Sequence, residues 1–280
     1  MAHIAVLVHQ HDLFERWGYF VHAFSELWRR EGHRVSVLTG PEKHVDADLA
    51  FLHVDLTVTP PEYVAWMRRF PRVINARVTD ISKRRVSRWI VARDDGYDGP
   101  VVVKTDRNHG GQPEARMTSE GTLAARIGKR VRDYLPWTRR SWMPSMDYRV
   151  YKSASAVPRG VWANPELVVE RFQPEIKVGM YYLRVWIFFG DRETHSLCYG
   201  PEPIVKSANV AGRGSAGDVP QELRQIRTEL GFDFGKFDYA MVNGRPVLYD
   251  ANRTPAMPLV PPEQYSPGIL NLAQGIRSYL

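Results

Sequence analysis

The stretch FDYAMVNGRPVLYDANRTP, residues 237–255, contains the pattern that decides the fold of this chain. It reads as two short apolar strands joined at Asn243-Gly244, the strongest short-range signal for a β-hairpin. Asp238 lies on the first strand and Asp250 on the second, and Asn252 follows two residues later. Buried carboxylates are costly unless positive charge neutralises them, and these oxygen ligands suit a hard divalent cation such as Mg2+.

The turn decides whether these three side chains can share one ion. Alternate residues of a strand point to one face, so Asp250 and Asn252 lie on the same face. A two-residue turn places Asp238 opposite Tyr249 and on the other face, whereas a three-residue loop ending at Gly244 brings all three together. The metal interpretation therefore requires the longer loop or a bulge. The alternative is a pair of solvated acids at strand ends.

Composition indicates a soluble protein with an anionic ligand. The chain has 280 residues, enough for one large α/β domain or several small lobes. Its net charge of +7 favours nucleotide phosphates, acidic substrates or nucleic acid without choosing among them. The single cysteine, Cys198, excludes an intrachain disulfide and is interpreted as a core residue rather than a nucleophile. With no signal peptide and no membrane-spanning run, we expect a cytoplasmic protein.

Residues 1–77 have the alternating pattern of a small α/β lobe. We predict strands at 3–8, 34–38, within 50–56 and at 72–75, with helices at 13–30 and 61–70. This order predicts a parallel sheet whose ligand crevice lies at the carboxyl ends of its strands. No GxGxxG follows the first strand, so a dinucleotide site is not expected.

The middle region combines a basic helix with a lysine beside glycines. We predict a helix at 80–93 and a buried strand at 101–104, which ends in Lys104 and is followed by TDRNHGG with Gly110 and Gly111. A lysine beside a glycine loop can hold phosphate, although the order differs from a Walker P-loop. The alternative is an ordinary turn with a solvated lysine.

Tryptophans and arginines alternate through residues 132–165. Such a pattern can stack nucleobases, or it can form the edge of a substrate cleft or a lid. Because no nucleic-acid-binding module accompanies it, nucleic-acid binding is not expected.

Two arginines mark the region that precedes the hairpin. A long strand at 181–189 places Arg184 among large apolar residues, where an arginine needs an anionic partner. That partner is either a carboxylate of the fold or a bound phosphate, and we favour the phosphate. Residues 211–217, AGRGSAG, read as a flexible glycine loop that carries Arg213. A helix is predicted to begin near Pro220.

Taken together, the order and spacing of these motifs resemble the ATP-grasp superfamily, the fold of glutathione synthetase, D-alanine:D-alanine ligase and the ribosomal-protein glutamate ligases. The resemblance covers residues 75–258. It implies an α/β fold in three lobes: an N-terminal Rossmann-like lobe at 1–77, a central lid lobe at 78–167, and a C-terminal lobe at 168–280 with an antiparallel sheet and the metal-binding hairpin.

The resemblance also implies a nucleotide site. In that family two lysines contact the nucleotide phosphates, and Lys83 and Lys104 occupy similar positions here, with Gly110 and Gly111 in the adjacent loop. A Glu-basic-aromatic hinge binds adenine through its backbone, and a nearby acid binds the ribose. The segment ERFQPE resembles it with Glu170, Arg171, Phe172 and Glu175, and Gln173 replaces the usual apolar residue.

Further family positions concern phosphoryl transfer and metal. The strand arginine that steadies the transferring phosphoryl group is similar to Arg184, and Arg213 resembles the second phosphate-binding arginine. An Asp on one strand and Glu-x-Asn on the next hold Mg2+ in the family. Asp238, Asp250 and Asn252 resemble these ligands, with Asp250 in place of the glutamate.

The activity implied by the resemblance is an ADP-forming carboxylate–amine ligation that uses ATP and Mg2+, or Mn2+ in its place. ATP phosphorylates a small-molecule or peptide carboxylate, and an amine then displaces phosphate. No membrane partner is expected, and a homo-oligomer is left open. The alternatives are a phosphotransferase or a non-catalytic nucleotide-binding subunit on the same fold. Residues 27–39 resemble the opening of nucleotide-sugar glycosyltransferases, but only over a generic helix-turn-strand.

Overall fold

A computed structural model describes residues 1–43, 45–118 and 134–280. The first part of the chain forms a parallel sheet in the strand order β2-β1-β3-β4. Its elements are β1 (His3–Val8), α1 (Phe20–Arg30), β2 (Arg34–Thr39), β3 (Leu49–His53), α2 (Pro61–Met67) and β4 (Val73–Ile74). The predicted parallel sheet is confirmed, although the first helix begins at Phe20 rather than near residue 13.

The middle of the chain forms a three-stranded antiparallel sheet in the order β6-β5-β7. Its elements are α3 (Lys83–Val86), β5 (Val101–Thr105), α4 (Gln112–Thr118), β6 (Arg149–Tyr151), α5 (Arg159–Trp162) and β7 (Leu167–Arg171). The predicted helix at 80–93 was wrong beyond the four residues of α3. The chain after α3 instead runs beside β7, where Val91 N donates to Val169 O and Arg171 N donates to Trp89 O.

The last part of the chain forms a six-stranded antiparallel sheet, in the order β11-β10-β9-β12-β13 with β8 paired to β9. Its elements are β8 (Glu175–Lys177), β9 (Met180–Phe189), β10 (Arg192–Gly200), β11 (Gly212–Gly214), α6 (Gln221–Leu230), β12 (Phe234–Val242), β13 (Arg245–Asn252) and α7 (Pro267–Ala273). The glycine loop predicted at 211–217 therefore contributes the edge strand β11, which pairs with β10.

Short 3-10 turns complete the described structure. The turn at Asn108–Gly111 joins β5 to α4. The others are Phe14–Arg16, Trp137–Arg139, Ser145–Asp147, Ala154–Ala156, Ser207–Asn209, Pro262–Gln264 and Gln274–Ser278. Within the described residues, no helix has both the length and the hydrophobicity needed to span a bilayer.

Buried apolar residues join the first sheet to the large sheet. Phe24 and Trp28 of α1 pack with Phe51 of β3 and with Phe189 and Phe234 of the large sheet. Burying five such side chains removes a large apolar area from water, which is the main stabilising contribution in a fold of this kind. The opposite face of the large sheet packs against α6 in a separate cluster.

Arg253 fixes the end of the hairpin against the first sheet. Its side chain is fully buried, and the guanidinium donates to the carbonyl oxygens of Val54, Leu56 and Val78. Burial lowers the pKa of Arg253 to about 10. Because these acceptors lie where the first sheet ends, the preceding residues of β13 are placed beside the carboxyl ends of its strands.

Candidate functional site

A bulge in the terminal hairpin brings the two predicted metal-binding carboxylates to one face. The strands close with a two-residue turn at Asn243 and Gly244, whose φ angles of 50° and 77° are both left-handed. That turn alone would separate the acids. The register shifts after Asp238, however, so that Asp238 lies opposite Asp250. The bulge that the metal interpretation required is therefore present, while the metal itself stays a prediction.

Each carboxylate of this pair has a lysine partner. Lys83 of α3 donates to Asp250, and Lys236 Nζ lies 3.0 Å from Asp238 Oδ2. Burial would raise the pKa of Asp250, but the Lys83 ammonium, together with Lys236 and Lys206, holds it well below its ordinary value. Both acids are therefore set among cations, and Asp250 carries its charge at neutral pH.

The fit to a divalent cation rests on the acceptor oxygens that the fold leaves available. Asp238 Oδ1 is buried and has no hydrogen-bond partner among the described residues. Asn252 Oδ1, by contrast, accepts from Thr254 N at 2.8 Å, Thr254 Oγ1 at 3.2 Å and Asn108 Nδ2 at 3.3 Å. Groups of three His, Cys, Asp or Glu arranged for a metal are absent from the described residues. The two carboxylates fit a hard cation better than Asn252 does.

The second predicted lysine lines a narrow cavity together with the predicted adenine hinge. Lys104 Nζ donates to Glu170 Oε2 at 2.8 Å and to Tyr249 O at 3.3 Å. This cavity has a volume of about 80 Å³ and is lined by Trp89, Tyr148, Glu170, Arg171, Phe172 and Tyr249, together with Lys83 and Lys104. Glu170 Oε1 is buried without a hydrogen-bond partner among the described residues. Aromatic side chains therefore form much of the lining of this narrow cavity.

The loop after β5 adopts the left-handed geometry that its glycines permit. His109, Gly110 and Gly111 have φ angles of 47°, 70° and 79°. A Cβ on Gly111 would lie 3.0 Å from Ser141 O and 3.3 Å from the Cβ of Trp142, so a larger residue would be strained there. His109, rather than the glycines, lines the cavities, and its pKa is lowered chiefly by burial.

Arg184 and Glu175 lie outside this cluster, and the structure corrects both expectations. Arg184 donates to both Glu175 oxygens at 2.9 and 2.8 Å, and Glu175 also accepts from Lys177 and from Met241 N. Neither residue lines the two cavities. Strand alternation explains this, because Arg184 follows Leu183, which lines both cavities. The anionic partner of Arg184 is therefore a carboxylate of the fold.

A larger cavity of about 820 Å³ adjoins the narrow one. Asp238, Asp250, Lys206 and His109 line both, so the acids lie where the two cavities meet. On the large sheet's side, the lining includes Leu183, Val185, Ile187, Val210, Arg213 and Lys236. On the opposite side, it includes Trp17, Tyr19, Phe20, Asp55, Arg116 and Met257.

Arg116 of α4 lines this cavity and forms an ion pair with Asp55, which follows β3. Its Nη2 lies 2.7 Å from Asp55 Oδ2, and its guanidinium stacks 4.1 Å from the centre of the Trp17 ring. Asp55 also accepts from Thr254 Oγ1 at 2.6 Å and from Tyr19 at 3.1 Å. These contacts make the wall of the cavity a preorganised polar surface.

The interleaved tryptophans do not form one stacking surface. Trp137 stacks with Arg149 at 4.4 Å and, like Trp162, packs against the core of the three-stranded sheet. Trp142 lines the larger cavity. Residues 132 and 133 of that segment lie outside the described residues.

Sequence reasoning missed several cavity residues. Lys236 lies two positions before Asp238 on one strand and therefore shares its face, so strand alternation contained the signal for it. Lys206 comes from the connection between β10 and β11, and burial lowers its pKa. Nothing in its sequence surroundings, SANVAGRG, indicates a ligand. Asp55 and Arg116 are distant in sequence and meet only in the folded chain.

Of the comparisons with known proteins, the one with solved structures found similar folds. No family model and no curated protein matches the sequence. Among solved structures, the D-alanine–D-alanine ligase from Bacillus anthracis is similar over 100% of this chain and 99% of its own, with a TM-score of 0.51 and 12% identity. An ATP-grasp RimK domain protein from Sphaerobacter thermophilus is similar over 90% of this chain and 91% of its own, with a TM-score of 0.47 and 12% identity. The chain has the fold of the ATP-grasp proteins, as its motifs predicted.

Proposed function

We propose that this protein is an ATP-dependent, ADP-forming ligase that joins a carboxylate to an amine. The observation that carries the proposal is the convergence of Asp238, Asp250, Lys83, Lys206 and Lys236 at the junction of two cavities. A charged cluster between a narrow aromatic cavity and a wide one suits a triphosphate whose base lies on one side and whose acceptor lies on the other.

In this proposal the narrow cavity binds the adenine ring. The backbone of residues 170–172 would bind the ring edge, and Trp89 and Tyr148 would contact its faces. Lys104 would neutralise phosphate charge, because it lines the same cavity and its ammonium contacts Glu170 of the hinge. A lysine serves this purpose as a point charge with three donors.

Asp238 and Asp250 would hold Mg2+ through their carboxylate oxygens. When bound there, Mg2+ would neutralise charge on the phosphate oxygens during transfer. Lys83 and Lys236, which pair with these acids, would keep the remaining charge of the cluster balanced. The donor set fits a hard cation because Asp238 Oδ1 is buried without a partner among the described residues.

The chemistry would take place where the wide cavity reaches the acids. A carboxylate oxygen of the substrate attacks the terminal phosphorus, the bond to the ADP oxygen breaks, and an acyl phosphate forms. An amine then attacks the acyl carbon, its proton is lost, and phosphate leaves with the electron pair of the broken bond. Lys206 and Lys236 would stabilise the charge on the transferring group.

Hydroxylamine trapping tests this proposal. The protein is incubated with Mg-ATP, an excess of hydroxylamine and a panel of carboxylic acids. We expect carboxylate-dependent release of ADP and phosphate together with a hydroxamate. AMP and pyrophosphate would contradict the acyl-phosphate route, and ADP without hydroxamate would favour a phosphotransferase.

A further inference from the structure

Arg213 is a cavity residue that the proposed nucleotide site does not use. It lies on the edge strand β11 and lines the larger cavity but not the narrow one. Its side chain is exposed, and its guanidinium makes no hydrogen bond or ion pair with a described residue. An arginine that faces a cavity with its donors available is suited to bind a carboxylate or phosphate of a ligand.

The sheet register shows how far Arg213 lies from the reacting junction. Arg213 pairs with Cys198, Cys198 pairs with Leu183, and Asp238 pairs with Val185 on that same strand. Three strand spacings therefore separate the backbone of Arg213 from that of Asp238, which is about 14 Å. An anion bound by Arg213 and a carboxylate reacting beside Asp238 belong to two different ends of the cavity.

Apolar side chains contribute much of the lining of this cavity. Leu183, Val185 and Val210 line the cavity from the large sheet's side, and Trp17 and Met257 line it from the other, together with the polar pair of Asp55 and Arg116. A volume of about 820 Å³ is within the range of pockets that enclose drug-sized ligands. A single small amino acid would leave most of these apolar side chains in contact with water, so a larger apolar body is the better complement.

We propose that the larger cavity binds an elongated acid with an apolar body and two anionic ends, of the size of a short peptide. This inference rests on the proposed ligase function for the identity of the reacting carboxylate. One carboxylate lies at the junction beside Asp238 and Lys206, and the second anionic group binds Arg213. An extended chain spans at most about 3.5 Å per residue, so even with the reach of the arginine side chain the ligand exceeds one residue.

Binding of three acids tests the inference. N-succinyl-Leu-Phe carries both anionic ends, N-butyryl-Leu-Phe has the same length with a methyl group in place of the distal carboxylate, and phenylalanine is a short acid. Dissociation constants are measured by titration calorimetry, with and without Mg-AMP-PNP. We expect the succinyl compound to bind about 10-fold more tightly than the butyryl compound, because one charge-assisted contact is added. Phenylalanine should bind most weakly.

Arg213→Gln should reduce the preference for the succinyl compound to about 2-fold or less, and Arg213→Lys should restore part of it. Arg192→Gln is the matched control, because Arg192 is exposed, contacts Asp191, and lines neither cavity. Equal binding of the succinyl and butyryl compounds to the unaltered protein would overturn the inference, as would a preference that persists in Arg213→Gln.

Titration of Mg-AMP-PNP alone distinguishes this inference from the proposed function. Absent nucleotide binding, together with an Arg213-dependent preference among the acids, would contradict the ligase and support the acid-binding cavity. Nucleotide binding without that preference would support the nucleotide site and refute the two-ended acid.

Discussion

The two faces of the large sheet both carry buried ion pairs. They differ in whether a carboxylate oxygen remains available to bind a ligand. On one face, Glu175 accepts from Arg184 twice, from Lys177 and from Met241 N. On the other face, Asp238 accepts from Lys236, and its Oδ1 has no partner among the described residues. A carboxylate whose acceptors are filled stabilises the fold, whereas one with an unfilled oxygen beside a cavity can bind a ligand.

Charge state alone does not separate the two faces. Burial opposes ionisation of Glu175, but Arg184 and Lys177 lower its pKa to about 2. Asp250 on the cavity face also has a strongly lowered pKa, held by Lys83 against the effect of burial. Both carboxylates are therefore ionised at neutral pH. Their difference lies in access, because Asp250 lines both cavities and Glu175 lines neither.

Removing Arg184, on the face of the sheet that carries Glu175, should have the largest effect on stability. Arg184→Met leaves Glu175, which is 4% exposed, without its bidentate partner. Glu175 keeps Lys177 and Met241 N as partners but loses two charge-assisted hydrogen bonds, so the free energy of unfolding in urea should fall by about 2–3 kcal/mol. Arg192→Met, at an exposed position, is the control. A variant of unchanged stability would show that the two faces do not differ as described.

Removing the charge of Asp238, on the face that lines the cavities, should instead lower Mg-ATP turnover strongly. Asp238→Asn keeps the size of the side chain and removes one of two neighbouring acids, which partly offsets the lost pair with Lys236, so the free energy of unfolding should fall by less than in Arg184→Met. Mg-ATP turnover should fall by about 100-fold or more, because a direct metal ligand is lost. Asp191→Asn, an exposed aspartate beside Arg192, serves as the control. Full turnover in Asp238→Asn would rule out this acid as a metal ligand.

The ionisation of Glu175 should make the free energy of unfolding depend on pH. The folded-state pKa of Glu175 is about 2, below its ordinary value of 4.5. The contribution of this pair is therefore fully present above about pH 4.5 and is lost as the pH falls toward 2. Glu175→Gln should lose about 2 kcal/mol relative to the original chain at pH 6 and much less at pH 2.5. A difference that does not depend on pH would contradict the sign of this shift.

The smallest expected effect concerns the thiol on the cavity side. Burial raises the pKa of Cys198, so little thiolate is present at neutral pH. Iodoacetamide at pH 8 should therefore alkylate Cys198 at least about 10-fold more slowly in the folded chain than in urea. Mass spectrometry of timed samples measures the rate. Equal rates would mean that Cys198 is an accessible, reactive thiol.

Local sequence patterns predicted most of the strands and helices, but not which partners their side chains would contact. β1 and β9 were predicted within one residue of their bounds, because continuous apolar runs and long alternating segments specify strands directly. The partner of Arg184 could not be predicted, since Glu175 meets it only through the pairing of β8 with β9. The hairpin bulge was likewise undetermined, because residues 243 and 244 fix the turn but not the register after Asp238.

The residues that line the cavities likewise include some that the sequence could identify and some that it could not. Lys83, Lys104, Glu170, Asp238 and Asp250 were predicted because their positions resemble those of the ATP-grasp motifs, and all five line the cavities. Arg116 and Asp55 meet across 61 positions of sequence, so their pairing depends on packing that local pattern does not encode. Lys206 lies on an irregular connection, where periodicity gives no information about direction.

The most direct test of the central claim is a crystal structure of the protein soaked with Mn2+ and AMP-PNP, with anomalous scattering recorded for manganese. We predict an anomalous peak in direct contact with the carboxylates of Asp238 and Asp250, at the junction of the two cavities, with the adenine ring in the narrow cavity beside residues 170–172. A peak elsewhere, or a bound nucleotide whose phosphates lie away from both carboxylates, would contradict the account.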